Sequence, residues 1–294
     1  MLDIIDAAQA VVDGVLFGAT YAIIGIGFTL IFGVMHKINM SYAAASIGGA
    51  YGSLILLQFV DAPVLAVFLA AGFCGGVIGI IVYYACFRFL PLNNPLATLM
   101  STVGMLMLID ETISHVTTGV PLQYPAMFSN VTIDIGQFFL RGDLVFTFVL
   151  ACLATVALLL LLYRTKMGIA TRAVSQQQVA AQLCGIGINR VNALTFLVTG
   201  VLGGLAGALI GASIGILSPM LVLPLTVKGL IVTVIGGLGS IPGAIIAGLM
   251  VGAAENIFQF FRGVSERDIY VMLLLFAFLV FRPGGIFAPP QGRD

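Results

Sequence analysis

Apolar runs of about 20 residues or more, the length that carries a helix across a hydrocarbon core, alternate along the chain with short polar breaks. The first covers Val11 to Val34, and Gly14 and Gly18 within it form a small-xxx-small pair that lets a neighbouring helix come close. His36-Lys37-Ile38-Asn39 interrupts the pattern before a second run, Met40 to Val60. A third follows Asp61 and Pro63 and closes at Phe87-Arg88. Asn93-Asn94-Pro95 signals a helix start, since Asn caps orphan amides and Pro fits the first turn, and predicts a fourth span from Leu96 to Ser114. His115 to Arg141, with Gly119, Pro121, Pro125 and Asn130, predicts an ordered loop outside the membrane. Leu144 to Tyr163 and Val191 to Leu217 give the fifth and sixth spans. Leu221 to Phe261 is about 40 residues, too long for one ordinary crossing, and is cut by Ile235-Gly236-Gly237-Leu238-Gly239-Ser240-Ile241-Pro242-Gly243. This predicts a broken or re-entrant helix near 235–243. Counting the short last run, Ile269 to Phe281, the expectation is an all-α polytopic bundle of about eight spans, a single transmembrane domain over 1–294.

Composition agrees with that class. Hydrophobic residues make up 60% of the chain and charged ones 8%, with a mean hydropathy of +1.15. An outer-membrane barrel would instead show alternating segments of about ten residues. Basic and acidic residues number 12 each, so net charge implies no nucleic-acid partner. Asp3, Asp6 and Asp13 precede any basic residue, the wrong sign for the start of a cleavable signal peptide, so the N-terminus is expected to be retained. Cys74, Cys86, Cys152 and Cys184 show no metal-ligand or paired spacing and are expected to be buried or inert thiols.

The longest polar interruption is Tyr163 to Arg190, with four basic residues, no acid and the triplet Gln176-Gln177-Gln178. Threading five spans before it places Lys37, Arg88, Arg164, Lys166, Arg172 and Arg190 on one side, with no acidic residue there. Asp3, Asp6, Asp61, Asp134 and Asp143 fall on the other side with Arg141. The positive-inside rule then makes 164–190 cytoplasmic and the N-terminus external. Ala173, Gln177, Ala180, Ala181 and Cys184 have the spacing of one helix face, ending at Gly185, where a C-terminal glycine is expected. This loop is where the chain would dock on a soluble partner.

No catalytic constellation, metal cluster or phosphate-binding loop is present in the sequence, so neither an enzyme activity nor a cofactor of its own is expected. Candidate path-lining residues come from two places. Gly236, Gly237, Gly239, Ser240 and Pro242 break a helix whose freed backbone groups need protein partners or a water-filled cavity. Asn39, Ser41 and Tyr42 open the second run, where they could line a path or cap a helix. Lys228 and Glu255 lie inside apolar segments where an unpaired charge is costly, and are expected either to pair or, for the lysine, to snorkel. Asp110 and Glu111, about 22 Å along the fourth helix from its start, are expected as solvated charges near its outer end.

The chain resembles the LivH-type permeases of high-affinity branched-chain amino acid ABC transporters. The likeness is carried by Gly18-Ala19-Thr20-Tyr21-Ala22, Thr29-Leu30-Ile31-Phe32-Gly33-Val34-Met35, Arg164-Thr165-Lys166-Met167-Gly168 and Leu194-Thr195-Phe196. Most specific is Gly236-Gly237-Leu238-Gly239-Ser240-Ile241-Pro242-Gly243-Ala244, followed by Gly252 and Glu255. Val179-Ala180-Ala181-Gln182-Leu183-Cys184-Gly185 is similar to the E-A-A-x-x-x-G element by which importer permeases engage their ATPases, with Val179 in place of the Glu. The resemblance implies a permease subunit of the bacterial inner membrane. Its partners would be a second, LivM-like permease, two cytoplasmic ATPases that bind ATP and magnesium, a periplasmic binding protein and membrane lipid. On that reading Arg172, Gln177, Ala180, Ala181 and Gly185 couple to the ATPases. The family commonly shows I-N-F-A-H-G where this chain has Ile38-Asn39-Met40-Ser41-Tyr42-Ala43. Relatives carrying urea, short amides or aromatic acids therefore stay open as alternatives to branched-chain amino acids. A secondary transporter is the competing class. That class also uses broken helices and weak repeats, and the chain offers a faint repeat of Ile47-Gly48-Gly49 through Ser53 against Ile235-Gly236-Gly237 through Ser240.

Overall fold

In lipid, the backbone amides and carbonyls of a spanning segment must be satisfied within the segment, and the apolar runs accordingly form helices. The computed structural model describes residues 2–57, 64–90, 95–125, 128, 131–135, 138–263, 266–282 and 284–287; Asp61, Pro63, Asn93, Asn94 and Asn130 lie outside these. The helices are α1 Leu2–Met35, α2 Tyr42–Leu57, α3 Val64–Tyr83, α4 Pro95–Val116, α5 Gly142–Arg164, α6 Lys166–Gln176, α7 Gln178–Leu183, α8 Ile188–Ile214, α9 Val222–Gly236, α10 Ile241–Arg262 and α11 Arg267–Phe281. A π-helical turn, Tyr84–Arg88, extends α3, and a 3₁₀ turn, Pro219–Leu221, leads into α9. Among the described residues seven helical segments are long and apolar enough to cross a membrane, and two shorter apolar ones, within α2 and α11, run beside them. This is a multi-pass membrane bundle.

Hydrophobic burial gives helices little reason to associate in lipid, so close backbone packing must hold them together. The longest crossing is α1 on α10, and it is built from small residues. A Cβ placed on Gly14 would lie 2.7 Å from the Gly252 carbonyl oxygen, and one on Gly18 would lie 2.8 Å from that of Gly248. The expected small-xxx-small pair therefore meets its counterpart on α10. Gly75 and Gly79 of α3 press in the same way on Gly200 and Gly204 of α8, where a Cβ on Gly204 would run into the Ala71 carbonyl.

The helices alternate in direction and sort the chain's charges to two ends. At the acidic end the described residues of the 117–141 connection include three short strands. Its β1 Leu122–Gln123 pairs antiparallel with β4 Ile216–Leu217, and β2 Thr132–Ile135 pairs with β3 Phe138–Arg141. Gln9 ties α1 to this layer, its amide donating to Phe139 O at 2.7 Å and accepting from Phe139 N at 3.1 Å. Tyr124 anchors the layer in the bundle. Its ring lies against Gly211, its amide donates to Gly215 O at 3.0 Å, and its hydroxyl sits 3.1 Å from Ser53 Oγ. Burial pushes this phenol up to about 12.

The basic end gathers the C-termini of α1, α3 and α5, the helices α6 and α7, and the turn between α9 and α10. Residues 285–287 return there as well. The Ile286 amide donates to Ile235 O at 2.8 Å, which puts the end of α11 beside the α9–α10 turn. The expected break in the long run is thus the apex of a helical hairpin at one end of the bundle. The faint internal repeat finds no structural counterpart, because Gly48 and Gly49 lie within the continuous helix α2 whereas Gly237 ends α9.

Candidate functional site

Three polar features stand out from the apolar packing. The first is a cavity of about 500 Å³ at the acidic end, lined among others by Asp13, Tyr21, Arg141, Lys228, Glu255 and Asp268. Lys228 of α9 and Glu255 of α10 are both buried, with Nζ 2.7 Å from Oε1. Lys228 Nζ also lies 3.0 Å from Asp268 Oδ1 in the first turn of α11, and the ammonium sits 5.6 Å from the centre of the Tyr21 ring. One cation thus joins four helices. Of the two expectations for this lysine, pairing holds and snorkelling does not. The sequence reading missed Asp268 and Tyr21, since neither falls at helical spacing from Lys228 and only the packing of α1 and α11 against the α9–α10 hairpin brings them to it.

The second feature is a cleft of about 590 Å³ at the basic end, between the end of α1, helices α5 and α6, and the α9–α10 turn. Arg172, His36, Gly239, Ser240 and Pro242 are among its lining residues. The Arg172 guanidinium stacks 5.0 Å above the Tyr163 ring, which holds it toward the cleft. Ser240 caps α10 by accepting from Gly243 N at 3.2 Å, and Pro242 occupies the first turn, so the turn and the helix start are fixed together. Gly239 takes φ +90, a conformation that glycine adopts without a steric cost. Gly236 and Gly237 do not face this cleft. Gly236 packs on Gly243, and a Cβ on Gly285 would come 2.6 Å from Gly237 Cα, so these two glycines make room for backbone.

The α6–α7 segment forms the third feature, and it differs from its expected form. Ala173, Gln177, Ala180, Ala181 and Cys184 do not share one helix, because the chain breaks at Gln177, whose φ −157 and ψ 108 are extended. Three consecutive glutamines carry no strong helix-stop signal, so the break was not legible. Thr165 caps α6 through Gly168 N at 3.1 Å. Helix α7 ends in a Schellman motif, with Ile186 N donating to Ala181 O at 3.1 Å and Gly185 N to Gln182 O at 2.9 Å, and Gly185 takes φ +83 as expected. Ala181 is buried under α7, while Gln177, Ala180 and Gly185 are exposed. The Gln178 amide donates to Val34 O at 3.3 Å, fastening α7 to the end of α1.

Asn39, Ser41 and Tyr42 line neither the acidic-end cavity nor the basic-end cleft. Asn39 Oδ1 accepts from Ser41 N at 3.1 Å and Ser41 Oγ at 2.8 Å, which organises the start of α2. Tyr42 reaches across to donate to Thr199 O at 3.1 Å, with Phe28 edge-on to its ring. Capping and packing therefore account for all three. Asp110 is half-buried and Glu111 exposed, in the acidic-end half of α4. The thiols are free; Cys86 is buried and Cys74 half-buried, while Cys152 and Cys184 are exposed. Among the described residues no group of His, Cys, Asp or Glu is placed to hold a metal.

The family model described as branched-chain amino acid transport system / permease component matches residues 10–282. The chain is 29% identical to the high-affinity branched-chain amino acid transport system permease protein LivH of Salmonella typhimurium, over 96% of each chain. It is 29% identical to the corresponding protein BraD of Pseudomonas aeruginosa over 99% of each, and 28% identical to LivH of Escherichia coli K12 over 96% of each.

Proposed function

The chain belongs to the family of branched-chain amino acid transport system permease components, and from that premise we propose that it is one of two membrane subunits of an ATP-driven importer for branched-chain or similar apolar amino acids. In this reading a second, LivM-like permease, two cytoplasmic ATPases and a periplasmic binding protein complete the complex in the bacterial inner membrane. ATP is bound and hydrolysed by the ATPase subunits, and this chain carries their motion to the spans.

The observation that carries the coupling reading is the seat of the α6–α7 segment. It faces outward through Gln177, Ala180 and Gly185, yet it is joined to α1 by Gln178 and faces the α9–α10 apex through Arg172. A push on this segment moves the ends of three helices. A ligand shifts only an equilibrium whose states it binds unequally, so nucleotide and binding protein must supply the free-energy difference between inward- and outward-open states. Co-purification is the test. The chain should bring with it a second permease and two ATPase subunits, and proteoliposomes with the binding protein should take up leucine only with internal ATP. Uptake driven by an ion gradient in proteoliposomes holding this chain alone would overturn the reading in favour of a secondary transporter.

A further inference from the structure

Behind α7 at the basic end lies a separate cavity of about 570 Å³, whose walls include Arg88, Gln178, Gln182, Asn189, Arg190 and Asn192. No carboxylate lines it, and its two guanidinium groups come from the ends of two different helices. The 27-residue helix α8 begins in its wall at Ile188, after a Gly187 that offers no side-chain cap, so the positive end of that helix adds to the field. Asn192 is 4% exposed and its Oδ1 has no hydrogen-bond partner among the described residues. A buried acceptor left orphaned costs stability, and among the described residues none supplies the donor it calls for. The cavity thus asks for an anion that also carries a hydroxyl.

Its position indicates where such a group comes from. Arg88 closes the Leu65–Arg88 span, and its guanidinium stacks 4.9 Å from the Tyr84 ring and 5.7 Å from that of Phe89. Aromatic rings beside a basic residue at a span end sit at headgroup level. Phe89 and Leu183 are 77% and 86% exposed, apolar surface that acyl chains can cover. We infer that this cavity binds the headgroup of an anionic, hydroxyl-bearing phospholipid of the phosphatidylglycerol type. The phosphate lies between Arg88, Arg190 and the start of α8, and a headgroup hydroxyl donates to Asn192 Oδ1. The lipid then wedges behind α7, against Gln178 and Gln182. This assignment needs only the membrane fold and stands apart from the transport reading.

The full chain in nanodiscs of mixed phosphatidylglycerol, phosphatidic acid and phosphatidylcholine, followed by gentle detergent extraction and native mass spectrometry, tests it. The wild type should retain phosphatidylglycerol in preference to phosphatidylcholine. The Arg88→Gln/Arg190→Gln pair should weaken that retention about tenfold or more, given the usual contribution of each basic residue near an anionic surface, whereas Lys166→Gln should not. Asn192→Leu should erase the preference for phosphatidylglycerol over phosphatidic acid, which lacks the hydroxyls. Equal retention of phosphatidylglycerol and phosphatidylcholine by the wild type would overturn the proposal whatever the variants do. Retention of soluble glycerol phosphate without lipid enrichment would overturn the lipid source.

Discussion

Lys228 is the residue on which the acidic end turns. Its charge is shared between a buried glutamate and a half-exposed aspartate, so the three helices α9, α10 and α11 meet at one ammonium group. Removing one member of a buried ion pair typically costs about 3–5 kcal/mol, because the remaining charge is left without a partner. Lys228→Met should therefore lower the thermal midpoint of the detergent-solubilised protein. Lys228→Met combined with Glu255→Leu should recover part of the loss, as expected when the damage is a buried carboxylate deprived of its ammonium counter-charge rather than a missing attraction. A double variant no more stable than the single one would show that the pair contributes by attraction. The sequence exposed both partners as charges in apolar runs. It could not show the third, Asp268, which sits at the rim beside other charges and gains meaning only from the fold of α11 over the α9–α10 hairpin.

At the scale of elements, α7 depends on its C-terminal cap. A Cβ on Gly185 would meet nothing within 4 Å, so a substitution there acts through the left-handed backbone and not through a clash. Gly185→Ala should cost about 1–2 kcal/mol locally, fraying α7 while leaving the α1–α10 core intact. Assays should then find normal membrane insertion and reduced ATP-driven uptake; unchanged uptake would argue against α7 as a coupling element. Gly204→Leu makes the contrast, because the α3–α8 crossing has no room for a side chain. That variant should fail to yield a monodisperse protein on size exclusion. The sequence marked Gly185 as the glycine that ends a helix, and the structure gives it that role. That Gly204 serves a close crossing was decided by its neighbours in space.

For the whole molecule, the separation of charge predicts an orientation with the α6–α7 end cytoplasmic. Lys37, Arg88, Arg164, Lys166, Arg172 and Arg190 lie toward the end where α6 and α7 sit, while Asp13, Asp143, Glu255 and Asp268 lie toward the other. Cys184 is exposed at the basic end, and Cys152 is exposed on the side of a spanning helix. A variant keeping Cys184 as its one cysteine should react with a membrane-impermeant maleimide in inside-out vesicles and resist it in intact spheroplasts. The reverse pattern would invert the topology.

Apolar run lengths, glycine spacing and the charge bias between loops suffice, in the sequence alone, to specify a multi-pass helical protein, the places of its spans and its polar segment, although α1 starts nine residues before the expected Val11. These are local properties, governed by the bilayer thickness and by the cost of exposing backbone in lipid. Contacts between distant segments are a different matter. The α9–α10 hairpin, the break at Gln177, the Lys228 triad and the cavity behind α7 each depend on which helix faces which. In lipid that choice rests on close packing and a few polar contacts across helices, and only the tertiary structure decides it.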